Sequence, residues 1–145
     1  MEPLGKKNMT RHELRDKVFG LVFRIEFYEN EEIEDQEKLF EEFATEEGYS
    51  EEDLGYIISK FNAVRENLDK IDAAIDECAV GWTRNRMGKC ELASLRLGIY
   101  EMLFDDDIPV GVAMDEAVEI AKTYGDNTSG AFVNAILTKV KEKNS

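Results

Sequence analysis

The chain has 145 residues, 43% of them apolar, with 32 acidic against 18 basic residues, two prolines, two cysteines and one histidine. That length suits a single domain that buries a core without metals or disulfides. Sparse prolines, long Glu, Lys, Leu and Ala runs and the lack of alternating Val/Ile/Thr strands exclude a sheet-rich fold and predict an all-α one. A formal net charge of −14 argues against nucleic-acid binding unless the charge is unevenly spread.

It is unevenly spread. Residues 1–28 carry six basic and four acidic residues, a net of +2, whereas residues 29–53 carry thirteen acids against Lys38 alone, a net of −12. The N-terminus has no apolar segment of the signal-peptide kind, and no run is long enough to span a membrane, so a cytoplasmic protein is expected. Cys78 and Cys90 are not spaced as a Cys-x-x-Cys pair. With one histidine in the chain, a metal site is not expected, and two buried, reduced cysteines are.

In chain order, Thr10-Arg11-His12-Glu13 reads as a capping box. Behind it Leu14, Val18, Leu21, Val22 and Ile25 share a helical face that Phe19, Phe23 and Phe27 widen. In the acidic segment, Ile33, Leu39, Phe40 and Phe43 predict a short amphipathic helix near 36–47. Ser50 with Glu51, Glu52 and Asp53 predicts another helix start, with acids at the positive dipole end.

An apolar stripe then runs from Leu54 through Ile57, Phe61, Val64, Ile71 and Cys78 to Trp82. Periodicity alone permits one long helix here, and Asn67 offers a weak cap. A polar loop over 83–88 precedes a helix over 90–104 that is apolar on several sides and is expected to be the central one. Ile108-Pro109 forces a connection at 105–110. Two more amphipathic helices follow, the first carrying Met114, Ala117, Val118 and Ala121 and the second Phe132, Val133, Ile136, Leu137 and Val140, with a turn at Gly125-Asp126-Asn127 between them.

Four blocks in this last third are similar in order and spacing to those of the NusB family of transcription antitermination factors. They are Leu95-Arg96…Tyr100-Glu101, Ile108-Pro109, Met114 to Gly125 and Phe132-Val133-Asn134-Ala135-Ile136-Leu137. Met9 to Arg15 likewise resembles the family's basic helix start. The resemblance implies seven helices in two packed subdomains, about 9–82 and 88–142, and a helix break near Asn67. It also implies a non-enzymatic function: binding single-stranded boxA-like RNA with the ribosomal protein NusE, within the RNA polymerase complex that reads through ribosomal RNA operons.

Independently, the chain has no phosphate-cradling Gly-rich motif and no nucleophile elbow, so no enzyme, and no cofactor, is expected. Asp105-Asp106-Asp107 lacks the alternating ligands of a calcium loop.

Lys6, Lys7, Arg11, His12 and Arg15 are the expected RNA contacts, since 11, 12 and 15 lie within one helical turn. On composition alone they are solvated residues at a helix start, and the resemblance reverses that balance. Phe132 is a stacking candidate, although it fits the core stripe equally. Glu91 sits where a carboxylate can accept from base amino groups or orient Arg15 or Arg86, and Arg86 joins the RNA set.

His12 stands in place of an arginine, Ala131 of a lysine and Asp115 of an asparagine. Fewer phosphate contacts imply weak RNA affinity alone and more reliance on a protein partner. Asp115, Glu116 and Glu119 form the acidic face expected to meet basic NusE. Two rival readings stand: an acidic protein-only adaptor that has lost RNA binding, and a homodimer whose pairing hides the RNA face.

Overall fold

The computed structural model describes residues 8–145, and among these it has seven α-helices and no strand. They are α1 (Arg11–Arg24), α2 (Asn30–Glu47), α3 (Glu51–Glu66), α4 (Leu68–Cys78), α5 (Lys89–Phe104), α6 (Val110–Tyr124) and α7 (Ser129–Lys143). Short 3-10 turns at Ile25–Phe27 and Arg84–Arg86 follow α1 and precede α5. The all-α class is as the sequence reads. Internal packing divides the chain within α3, into Met1–Ala63 and Val64–Ser145. Residue 82, near which the resemblance places a subdomain boundary, lies in the connection between α4 and α5.

In the first unit, α1 packs on α2. The α1 capping box forms as expected: the Glu13 amide donates to Thr10 Oγ1 at 3.1 Å and the Thr10 amide donates to Glu13 Oε1 at 3.0 Å. Leu14, Val18, Phe19, Leu21 and Val22 are buried from α1, and Ile33, Phe40 and Ala44 from α2. The aromatic face narrows toward the end of α1, for Phe27 is exposed beyond the helix in the 3-10 turn.

Helix α2 is longer than the predicted 36–47. Glu29 caps it, accepting from the N3 amide while the Glu29 amide donates to Glu32 Oε1 at 3.1 Å. A glutamate capping box in an acid-rich run gives little sequence contrast, so this start was not legible. Gly48 ends α2 at φ 78°, a left-handed cap that glycine adopts without a Cβ clash. Helix α3 begins as predicted, with Ser50 Oγ accepting from the Asp53 amide at 3.0 Å.

In the second unit, α4 packs on α5 and α7, and α5, α6 and α7 pack on one another. Helix α5 is central: every residue from Leu92 to Ile99 is buried, polar Ser94 and Arg96 included. Each fully buried Leu or Ile there contributes about 1.5–3 kcal/mol. Chain breaks at Asn67, 105–109 and 125–128 match those read from the sequence. Cys78 is buried and Cys90 only half-buried; both are free thiols.

Candidate nucleic-acid interface

Three of the sequence-predicted contacts lie at the start of α1, in the first unit. Arg11 and His12 are exposed, and the Arg11 guanidinium sits 5.6 Å from the centre of the Tyr56 ring. Lys60 Nζ approaches the same ring at 4.9 Å and donates to the Tyr56 hydroxyl at 2.8 Å. Two cations thus share one aromatic ring, an arrangement that polarises the ring and fixes the cations' positions. The chain before α1 is tied down by the Met9 amide, which donates to Asp53 Oδ2 at 2.8 Å.

The common exposed surface expected of Arg11, His12 and Arg15 is not formed. Arg15 is only 4% exposed. Its i+3 and i+4 neighbours are the buried Val18 and Phe19, so helical geometry turns it toward the packed side. Lys6 and Lys7 lie outside the described residues.

The other predicted contacts belong to the second unit. Arg86 is exposed in the 3-10 turn that leads into α5. Glu91, in the first turn of α5, is half-buried and accepts from Ser129 Oγ at 3.2 Å. Ser129 Oγ in turn accepts from the Asp126 amide at 3.0 Å. Asp126 Oδ1 accepts from the Thr128 hydroxyl at 2.8 Å and the Thr128 amide at 2.9 Å. Those bonds, the hydroxyl's foremost, hold the Asp126 carboxyl below the usual aspartate range. This stapled turn joins the start of α7 to the start of α5. Glu91 is therefore bonded to α7, where the sequence suggested Arg15 or Arg86 as what it would orient.

One turn further along α7, Phe132 is half-buried rather than core. It meets Trp82 edge to face, with ring centres 5.5 Å apart and planes at 81°. Both rings line a cavity of ≈ 190 Å³ with Cys78, Val80, Ile136 and Lys139. On α6, Asp115 and Glu119 are exposed one helical turn apart, and Glu116 is half-buried.

Sequence reasoning missed Tyr56, Lys60, Trp82 and Lys139. The Tyr56–Lys60 spacing of four on α3 carried a usable signal. Trp82 was assigned to the apolar stripe of a helix, yet α4 ends at Cys78 and leaves Trp82 in a loop.

The geometry offers cations and aromatic rings within each unit, with carboxylates that tie down the chain beside them. Comparisons with known proteins bear on the family of the whole chain. The model of the NusB family matches residues 12–142. The transcription antitermination protein NusB of Agathobacter rectalis is 45% identical, covering 90% of this chain and 98% of its own length. That of Lachnoclostridium phytofermentans is 42% identical, covering 91% and 98%. Among solved structures, NusB from T. maritima superposes with a TM-score of 0.82 at 36% identity, covering 94% of each chain. A complex of the antitermination factors NusB and NusE with double-stranded RNA is similar with a TM-score of 0.75 at 25% identity, covering 93% of this chain and 99% of the matched one.

Proposed function

The chain belongs to the NusB family, and on that premise we propose that it is a non-enzymatic, RNA-binding transcription antitermination factor acting with a NusE-type ribosomal protein. The observation that carries this reading is the family match along nearly the whole chain, residues 12–142. The solved complex of relatives with NusE and RNA supports the same pair of partners.

Its RNA is a single-stranded, boxA-like segment. Unpaired bases expose faces that stack on aromatic side chains, while phosphates meet Arg and Lys. Arg11 and His12 supply an exposed basic start to α1, with the Tyr56 ring beside Arg11 and held from behind by Lys60, which is buried as Arg15 is. Arg86 and Phe132 contribute from the second unit, and Glu91 acts by fixing the start of α7. Arg15, being buried, supports α1 instead of touching RNA through an open surface.

NusE docks on the acidic face of α6 and joins its own RNA contacts to these. Two weak RNA surfaces held in one complex gain through effective concentration. The complex forms in the cytoplasm on transcribing RNA polymerase and promotes read-through of ribosomal RNA operons.

The test is fluorescence polarisation of labelled boxA-like RNA, with and without NusE. Weak binding alone, tightened at least tenfold by NusE, is expected. Arg11→Ala loses about 1.5 kcal/mol, roughly tenfold in affinity, as one charge-assisted hydrogen bond disappears. Tight NusE binding with no RNA binding in either arm would establish the acidic adaptor instead.

A further inference from the structure

Trp82 is the only tryptophan in the chain, and it is 49% exposed. Its position has a local cause. Helix α4 stops at Cys78, and Gly81 turns the chain at φ 82°, with the Trp82 amide donating to the Ala79 carbonyl at 3.0 Å. Val80 beside it is exposed as well. The exposed indole and valine, with the half-buried Phe132, form a small apolar patch open to a ligand.

The surroundings indicate which one. Trp82 and Phe132 meet at 81°, so their rings form a corner and not a parallel stack. A planar ring lying on one of them meets the other edge-on, the two arrangements that aromatic quadrupoles favour. The cavity in this corner, ≈ 190 Å³, is smaller than the roughly 300–1,000 Å³ of drug-sized ligand sites. It is on the scale of one planar base.

One cation and no acid line it, in a strongly acidic chain. Lys139 lines it, and the segment after Trp82, residues 83–90, carries Arg84, Arg86 and Lys89 with no acid. Arg84 is engaged by Asp76 and Asp72, whereas Arg86, Lys89 and Lys139 are exposed. Aromatic rings combined with exposed cations are the recurring means of holding single-stranded nucleic acid, and here Lys139 borders the rings directly while Arg86 and Lys89 follow Trp82 in the chain.

We propose that Trp82 is a base-stacking residue: with Phe132 as the adjoining wall and Lys139 on the neighbouring phosphate, it holds one unpaired nucleobase of a single-stranded RNA. This rests on the RNA-binding reading above and adds to it a defined subsite in the second unit. Stacking is tolerant of base identity, so the subsite adds affinity more than sequence preference.

As the sole tryptophan, Trp82 reports on its own occupancy. The experiment titrates the full-length protein, with NusE present, with fluorescein-labelled oligouridylate and oligoadenylate, reading polarisation for total binding. Parallel titrations with the unlabelled oligonucleotides read tryptophan emission, Trp82 having first been compared in free protein and in the NusE complex. Saturable quenching at the affinity given by polarisation is expected, with Trp82 shielded from iodide. Trp82→Ala should weaken binding by about five- to a hundredfold, the range set by base–aromatic stacking. Trp82→Phe should recover most of that loss, and both variants should keep the wild-type helical circular dichroism.

RNA binding with silent Trp82 emission and an unaffected Trp82→Ala variant would overturn the subsite while leaving the RNA-binding reading intact. No RNA binding in polarisation at low salt would overturn both. A shift in Trp82 emission on adding NusE alone, with Trp82→Ala losing NusE but not RNA, would make the corner a protein contact and overturn the proposal.

Discussion

Asp72 accepts three guanidinium hydrogen bonds: from Arg96 Nε at 2.9 Å, Arg96 Nη2 at 3.0 Å and Arg84 Nη1 at 2.9 Å. The two arginines differ in what they stand to lose. The Arg96 side chain is 4% exposed, and that of Arg84 37%. Removing the carboxylate takes two hydrogen bonds and a nearby opposite charge from the buried Arg96 guanidinium, so Asp72→Ala should cost about 3–5 kcal/mol in urea unfolding. Arg84→Ala removes the more solvated of the two arginines on Asp72 and leaves the Arg96 pair in place, so it should cost below about 1 kcal/mol. Comparable losses would mean that the Asp72–Arg96 pair is not the anchor of α4 on α5. At this scale the sequence was a poor guide. Arg96 belongs to one of the four family-like blocks yet is structural, and Arg15 looked like surface yet is buried. One-dimensional spacing tells which residues share a helix face, but not which face a neighbouring helix covers.

At the scale of the element, helix starts were the most legible feature where the cap had a distinctive chemistry. Thr10 with Glu13, Ser50 with its acids, and Pro109 all marked starts that the structure keeps. The Glu29 cap was lost among its acidic neighbours. Two cap-region carboxylates also carry a pH dependence. The Thr10 amide, followed by the Thr10 hydroxyl, holds Glu13 below the usual glutamate range. Thr128 does the same for Asp126. Both pKa values are depressed on folding, so their stabilisation is present above the unfolded values and is lost as pH falls through the folded ones. The melting temperature should therefore drop on acidification below about pH 4. A Glu13→Gln/Asp126→Asn variant should start lower at pH 7 and lose less over the same range. Parallel wild-type and variant profiles in a thermal melt followed by circular dichroism would show that these turns do not contribute.

Across the whole molecule, fold class and helix order could be read because apolar periodicity and proline placement are properties of the chain alone. Trp82 and Phe132 could not be assigned to a shared corner, because 50 positions separate them and only the packing of α4 and α7 unites them. Charge behaves in a similar way: the total of −14 misleads, since most of its excess lies in residues 29–53, in α2 and the first turn of α3. At physiological ionic strength the screening length is about 8 Å, so exposed charges act mainly on what docks beside them.

That locality sets the expectation for NusE. Asp115 and Glu119 are exposed on one edge of α6, while the half-buried Glu116 is already engaged within the protein. Reversing the two exposed acids should leave the fold unchanged and act on encounter with a basic partner. Asp115→Lys/Glu119→Lys should slow NusE association about tenfold at low salt, flatten its dependence on ionic strength and alter dissociation much less. Stopped-flow association rates from 20 to about 300 mM salt, spanning screening lengths from roughly 20 Å to 6 Å, measure this directly. An unchanged rate and salt slope would remove α6 from the NusE interface and direct the search to the acidic face of α2, where the charge density is greatest.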